Sequence, residues 1–238
     1  MDLDAAAQAN ATLSDGAFTL GGYPGIAYNN AGARATMSNV SGSGMLIQPA
    51  AGTDLNTGTW NVPQLCFPYA GLLTGTQSWT PNRRHRVWAR IGSANYTANY
   101  DNSIMGACRT LSYATADDES YVIKRGYGTS GLGLQALTVS GGTNVSGFID
   151  LVAGVAASND VQVVEINNGY MACGYGQWAA GWPALSAITW TGFYKLTAAL
   201  VNAADARTVG AFIAAQVLAS GTLLDVYVPN LRVDLETA

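Results

Sequence analysis

The chain has 238 residues, of which 49% are hydrophobic and 11% are charged, and its formal net charge is −4. This composition excludes a disordered polypeptide, and the acidic balance argues against a nucleic-acid partner, because Lys and Arg contacts with phosphates supply most of that affinity. No stretch reaches the roughly 18 apolar residues of a membrane span, and one histidine with three distant cysteines gives no zinc-ligand spacing. We therefore expect no membrane contact, no cofactor and no metal.

The N-terminal segment, residues 1–15, is small and polar and has no periodicity that would bury it. We expect an extended arm that is either flexible or laid on a neighbouring subunit. The segment is acidic and has no apolar run, so it does not have the pattern of a secretory signal. No repeat or linker divides residues 16–238, which we expect to form a single β-sandwich domain.

Short segments that alternate apolar and polar residues, separated by turn residues, recur through this domain. They predict strands at 17–20, 33–38, 44–48, 64–67, 83–91, 104–112, 121–124, 132–139, 145–152 and 161–167. Asn167-Asn-Gly169 is the strongest hairpin signal. Residues 198–218 fit a strand between two clear strands, although their alanines leave a helix open.

The C-terminal segment, 222–236, is the clearest strand. Leu224, Val226 and Val228 point to one side, and after Pro229 the apolar positions change phase. A proline at such a change predicts a strand that is kinked or bulged there, with one face in a core. A strand this long needs neighbours, so we expect it to complete an all-β antiparallel sandwich.

The polar residues do not match a catalytic motif. His85 would have to serve as the base of a nucleophile pair, but three nearby arginines disfavour its imidazolium form and it lies in a predicted strand. Glycoside hydrolysis needs two carboxylates, and the three glutamates, at 119, 165 and 236, do not form a Glu-x-Asp-x-x-Glu strand. We therefore expect that the chain is not an enzyme. Residues 99–102 carry oxygen ligands that suit calcium, but such turns are common without metal.

One group of residues is a candidate platform for a sugar, because aromatic faces bind the apolar faces of pyranoses. Its four members lie among glycines and alanines after the predicted hairpin: Tyr170, Tyr175, Trp178 and Trp182. The alternative is that these rings fill the end of the sandwich or a subunit contact.

A second group is cationic and lies at the start of the predicted strand 83–91. Arg83, Arg84 and Arg86 are candidates for contacting an acidic partner subunit, an acidic glycan or a phosphate. The alternative is a solvated edge whose charges discourage strand pairing.

The C-terminal third resembles a known module. Residues 189–196 (Thr-Trp-Thr-Gly-Phe-Tyr-Lys-Leu) and 221–233 (Gly-Thr-Leu-Leu-Asp-Val-Tyr-Val-Pro-Asn-Leu-Arg-Val) are similar to the last strands of carbohydrate-binding-module-type jelly rolls. In those modules a Trp-containing strand precedes a closing strand that ends in an Asn/Asp-hydrophobic-basic-hydrophobic run. The likeness covers about 50 residues, and the Lys-poor, Gly/Ala/Thr-rich composition also resembles bacteriophage virion proteins.

This resemblance implies an antiparallel jelly-roll β-sandwich and a role on a virus particle. The expected function is a non-enzymatic phage structural protein, of the capsid-decoration (cement) or tail-fibre type. It would be assembled in the host cytoplasm into the virion as a homotrimer that contacts other virion proteins. The alternative is a lectin-like receptor-recognition module that binds a host-surface glycan, and a third hypothesis is a glycoside hydrolase.

Overall fold

The structure is a computed structural model of the chain. It describes residues 1–28, 35–49, 63–80, 83–92, 102–108, 120–128, 131–140, 143–144, 149–153, 156, 158–195, 210–216 and 225–238. Residues 99–101 of the candidate calcium segment 99–102 lie outside these residues, as do 198–209 and 217–218 of the segment that could be strand or helix.

The described residues form strands joined by turns and two short 3-10 helices, Tyr69–Gly71 and Leu185–Ala187. The strands, numbered in chain order, are β1 (Asp2–Asp4), β2 (Ala11–Thr12), β3 (Gly16–Leu20), β4 (Tyr23–Tyr28), β5 (Ala35–Val40), β6 (Gly44–Pro49), β7 (Gln64–Pro68), β8 (His85–Arg90), β9 (Asn102–Cys108), β10 (Ser120–Gly128), β11 (Gly131–Ser140), β12 (Thr143–Asn144), β13 (Ile149–Ala153), β14 (Val161–Asn167), β15 (Tyr170–Gly176), β16 (Thr189–Lys195), β17 (Gly210–Gln216), β18 (Val226–Val228) and β19 (Asn230–Leu235).

The strands lie in three sheets, and each pair of neighbouring strands is antiparallel. The front sheet has the order β1-β19-β8-β14-β15-β16. The back sheet has the order β12-β11-β10-β9-β17-β7-β4-β3, with β13 paired to β11, and a small sheet has the order β18-β6-β5-β2. The predicted fold class, an all-β antiparallel jelly-roll sandwich, is confirmed.

One hydrophobic core joins these sheets. It contains Val87 and Val164 from the front sheet, Phe67 and Ile213 from the back sheet, and Ile47 from the small sheet, all of them buried. The front-sheet members recur at every second position because successive side chains of a strand point to opposite faces. Full burial of such a side chain contributes about 1.5–3 kcal/mol, so this alternation accounts for the sandwich.

The C-terminal segment crosses from one sheet to another at Pro229. β18 pairs with β6 in the small sheet, whereas β19 lies between β1 and β8 in the front sheet. A Cβ on Gly44 would lie 2.4 Å from the Pro229 Cα, so a glycine is needed where the chain crosses. The interruption predicted at this proline is therefore where the strand changes sheets.

The segment predicted to be an N-terminal arm contains the strands β1 and β2 with a turn between them, and both strands pair with strands of their own chain. β1 pairs with β19 at the edge of the front sheet, and Leu3 is buried in the core. The Met1 ammonium donates a hydrogen bond to the Val233 carbonyl at 3.0 Å. Leu3 explains why β1 packs in this way. A single apolar side chain between two aspartates is enough to fix which face of a short edge strand turns inward.

Two other local predictions are confirmed. Asn167-Asn-Gly169 forms the β14–β15 hairpin, with positive φ angles of 46° at Asn168 and 81° at Gly169. That pair of conformations matches the twist of two-residue hairpins. Within the ambiguous segment 198–218, residues 210–216 form the strand β17 between β7 and β9.

Candidate functional site

The outer face of the front sheet carries rows of side chains that do not enter the main core. Antiparallel register aligns Arg232, Trp88, Val163 and Gly174 in one row. The next row contains Asp234, Arg86, Glu165 and Ala172. Trp88 and Val163 belong to a second hydrophobic cluster, separate from the core between the sheets.

A long connection covers the Trp88 row. Residues 177–188, here called the strap, join β15 to β16, although adjacent antiparallel strands are usually joined by two to five residues. The strap crosses the sheet to its far edge, where Trp182 Nε1 donates a hydrogen bond to Asp2 Oδ1 at 2.9 Å. The Trp178 backbone N–H donates to Asp160 Oδ1 at 3.0 Å. As a result, Trp88 is only 2% exposed.

Two glycines in β15 make room for the strap. A Cβ on Gly174 would lie 2.5 Å from Ile188 Cγ2, and one on Gly176 would lie 3.0 Å from Ile188 Cδ1. Real Cβ atoms essentially never approach to 2.5 Å and rarely to 3.0 Å, so the strap packs directly on the backbone of β15. The glycines therefore determine where the strap can lie.

The charges beneath the strap are paired with one another. Arg90 Nε donates to Asp160 Oδ2 at 2.8 Å, and its guanidinium lies 5.0 Å from the ring centre of Trp178. Arg232 lies 5.6 Å from the Trp88 ring and donates to Asp234 Oδ1 at 2.8 Å. Such cation–π contacts are worth about 0.5–2 kcal/mol. The Arg90 contact holds the strap onto the sheet, whereas the Arg232 contacts fix the orientation of Trp88 beneath it.

The other half of the face is open. A depression of about 220 Å³ lies beside the strap-covered half and is lined by Glu165, Asn167, Tyr170 and Ala172. Tyr170 is 48% exposed, which is unusual for a large ring. Arg86 Nε donates a hydrogen bond to Glu165 Oε2, and their side chains are 17% and 16% exposed. The depression thus combines an aromatic ring with a fixed carboxylate and an amide.

The structure separates the four aromatic residues predicted to form one platform. Trp178 and Trp182 lie together in the strap, with ring centroids 5.0 Å apart and nearly perpendicular planes. Tyr170 lies in the depression, whereas Tyr175 packs against the main core on the opposite face of the sheet. Their partners in the strap leave Trp178 and Trp182 half-buried, so Tyr170 is the ring of this group that is most available to a ligand.

The three arginines predicted to contact an acidic partner also differ in their surroundings. Arg86 is paired with Glu165, and Arg84 Nε lies 3.7 Å from Glu236 in an exposed pair. The backbone N–H of Arg83 donates to the Thr80 carbonyl at 2.9 Å. Exposed pairs contribute about 0–1 kcal/mol, so Arg84 is the more easily released of the two paired cations.

Glu165 and Asn167 were not predicted as binding residues, although the sequence contained a usable signal. They alternate with Val164 and Ile166, which places them on the outward face of β14. The hairpin at Asn168-Gly169 then brings Tyr170 back opposite Asn167. Alternation and the hairpin signal together would have placed these residues beside Tyr170.

His85 lies on the inner face and belongs to a different cluster. Its ring centre is 5.4 Å from that of Tyr69 and 5.1 Å from that of Trp79. Burial lowers the pKa of His85 from 6.5 to about 4, so the ring is neutral at pH 7. Its Nδ1 lies 3.3 Å from the Arg83 carbonyl oxygen, which can only accept, so Nδ1 carries the proton.

Three further observations concern the described part of the chain. Burial raises the pKa of the Cys173 thiol to about 12, which keeps it protonated and unreactive. Among the described residues, no group of three or more His, Cys, Asp or Glu side chains is placed to hold a metal ion. Nor does any helix within them have the length and apolar character needed to cross a membrane.

No protein-family model and no curated protein matches the sequence. Solved structures do match the fold. A mutant of the GH43 protein BlXynB from Bacillus licheniformis aligns with 95% of this chain, with a TM-score of 0.53 and 13% sequence identity. This chain spans only 39% of that protein's length.

Two alginate lyases match with lower scores. Alginate lyase A1-II', a member of polysaccharide lyase family 7, aligns with 97% of this chain and 95% of its own length, with a TM-score of 0.48 and 14% identity. An alginate lyase from Pseudomonas aeruginosa aligns with 94% of this chain and 87% of its own, with a TM-score of 0.48 and 8% identity.

These matches correct one prediction. The expectation that the chain is not an enzyme is contradicted, because BlXynB, which shares its fold, is a GH43 glycoside hydrolase. The expectation depended on missing motifs, and a fold retained at 13% identity need not retain recognisable motifs. What the matches establish for this chain is its fold, a jelly-roll sandwich of a kind that carbohydrate-active enzymes contain.

Proposed function

We propose that this chain binds carbohydrate in the depression on the outer face of the front sheet. The observation that carries the proposal is the half-exposed ring of Tyr170 beside the fixed carboxylate of Glu165. In the described part of the chain, Tyr170 and Leu185 are the exposed large hydrophobic side chains, and Tyr170 is the one that lines a concave surface.

The chemistry of the depression suits a sugar. A pyranose presents an apolar face of C–H groups, which an aromatic ring contacts, and a rim of hydroxyl groups. Glu165 Oε2 accepts from Arg86, and the carboxylate has further lone pairs that accept from sugar hydroxyls. The Asn167 amide can both donate and accept. Few convergent polar groups around an apolar surface are typical of small-ligand sites.

The comparison with BlXynB supports the same proposal. Its GH43 designation marks it as a glycoside hydrolase, and this chain matches part of its structure over nearly the whole of the chain. The sequence resemblance to carbohydrate-binding-module-type jelly rolls points to the same ligand class.

A glycan array tests the proposal. The unmodified chain should bind at least one glycan, and Tyr170→Ala should lose at least about tenfold in affinity because it loses a stacking contact worth about 1.5 kcal/mol. Leu185→Ala is the matched control, since Leu185 is also exposed but lies in the strap. Binding that survives Tyr170→Ala, or an array on which no glycan binds, would refute the proposal.

Cleavage of the bound glycan is a second candidate function. Glu165 and Asp234 face Arg86 from the two strands beside it, and the solved structures with this fold are enzymes. Asp234 accepts hydrogen bonds from Trp88 and Arg232 through its two oxygens, which leaves Glu165 as the more available carboxylate. Release of new chain ends from a bound glycan, abolished in Glu165→Gln, would establish this candidate, and no release over many hours would exclude it.

The role on a phage particle, the homotrimer and the contacts with other virion proteins are a finer proposal, supported by composition and by the module resemblance. A receptor-recognition protein on a fibre would use the depression for a host-surface glycan. Light scattering together with sedimentation against purified capsids and tails tests this part. A stable monomer at micromolar concentration that binds neither particle would contradict it.

A further inference from the structure

The depression is closed at one end along the strand direction. In the row next to it, Trp88 and Val163 lie beneath the strap and are buried. Ile188 and Trp190 pack against Gly174, at the boundary between the covered row and the open one. A ligand that lies along the strands therefore meets the strap after Ala172.

The opposite end is open. There the Asn168-Gly169 turn joins the end of β14 to the start of β15, and Asn167 and Asn168 are exposed. A ligand can therefore enter from the hairpin end and stop at the strap. On the β8 side, the half-buried Arg86–Glu165 pair forms the edge of the floor.

The volume is small for a chain of sugars. At about 220 Å³ the depression is below the roughly 300 Å³ at which pockets for larger ligands begin. It has room for one ring against Tyr170 with its hydroxyls at Glu165 and Asn167. A second unit in line would need the space that the strap fills.

We infer that the depression binds the terminal unit of a glycan chain and does not bind units within the chain. This inference rests on the proposed carbohydrate function and specifies its ligand class. The terminal ring enters from the hairpin end, stacks on Tyr170 and abuts the strap, and the rest of the chain points into solvent. A single sugar unit therefore makes nearly all the contacts.

Titration calorimetry of the full chain tests the inference with neutral probes, β-1,4-linked xylose and glucose oligomers of one to six units, and with acidic ones, 1,4-linked uronic acids of the same lengths. For the series that binds, we expect dissociation constants that agree within about threefold at all lengths, because added units gain no contacts. The parent polysaccharide should saturate at one protein per chain end, regardless of its length.

Two results would overturn the inference while sustaining carbohydrate binding. One is affinity that rises by about tenfold or more between one and four units. The other is a polysaccharide that takes up several proteins along each chain. If none of the probes and no glycan on the array binds, the proposed function itself is refuted. Tyr170→Ala should abolish binding at every length equally.

Discussion

The two halves of the outer face of the front sheet differ in whether the strap covers them. In one half the strap buries Trp88, and every nearby charge is paired beneath or beside a tryptophan. In the other half Tyr170 remains exposed above a depression. Both halves are built from the same strands with the same alternation, so aromatic residues in such a sheet do not by themselves identify a binding site. An aromatic ring that the strap covers is structural, whereas a ring that the strap leaves uncovered is available to a ligand.

The largest expected effect comes from removing the ring at the centre of the covered half. Trp88→Ala should destabilise the fold by about 3–5 kcal/mol, because it leaves a cavity beneath the strap and removes the donor to Asp234. Urea denaturation measures this change. Tyr170→Ala, in the open half, should change stability by less than about 0.5 kcal/mol. Equal losses in the two variants would remove the distinction between the halves.

The next largest effect on stability is expected from His85, which lies on the inner face of the front sheet. The pKa of His85 is lowered from 6.5 to about 4 in the folded chain, so between these values the unfolded chain binds the additional proton. The stability contributed by the neutral ring is fully present above pH 6.5 and is lost as the pH falls toward 4. The full loss is about 3 kcal/mol.

Denaturation curves at several pH values check this prediction when wild type is compared with His85→Phe. The variant retains an aromatic ring between Tyr69 and Trp79 but cannot titrate, so the difference in stability between the two proteins should vary with pH over this window. A difference that stays constant between pH 4 and 6.5 would contradict the burial of a neutral imidazole.

A smaller effect is expected where the strap meets β15. Gly174→Ala places a Cβ 2.5 Å from Ile188 Cγ2, so the strap must shift, at a cost of about 1–3 kcal/mol. Gly181→Ala is the matched control, because no atom lies within 4 Å of the added Cβ. Thermal unfolding of the two variants compares them directly. If the two substitutions are equally tolerated, the strap does not depend on the glycine.

Much of the fold could be predicted from local pattern. Strict alternation, the Asn168-Gly169 turn and the phase change at Pro229 each depend on neighbours within a few residues, and each matches the structure. The packing of the N-terminal segment on its own sheet could not be read in the same way. It depends on Leu3 meeting a core made by residues more than two hundred positions away.

The candidate site was less predictable, because it is the part of the outer face that the strap leaves uncovered. Trp178 and Trp182 looked available in the sequence, but their positions depend on Asp160, on Asp2 and on two glycines in β15. Tyr170 belongs to the aromatic group predicted from the sequence, and its polar neighbours follow only from the register of β14 and β15. The prediction that the chain is not an enzyme depended on the absence of sequence motifs. A comparison of folds can find a match without such motifs.

The most direct test of the account is the glycan affinity of Tyr170→Ala beside that of Trp182→Phe, measured by calorimetry with one glycan. Trp182→Phe keeps a ring in the strap and loses only its hydrogen bond to Asp2. We expect Tyr170→Ala to bind at least about tenfold more weakly than wild type, and Trp182→Phe to bind within about twofold of it. Loss of binding in Trp182→Phe with retention in Tyr170→Ala would contradict the account, because the covered half would then be the site.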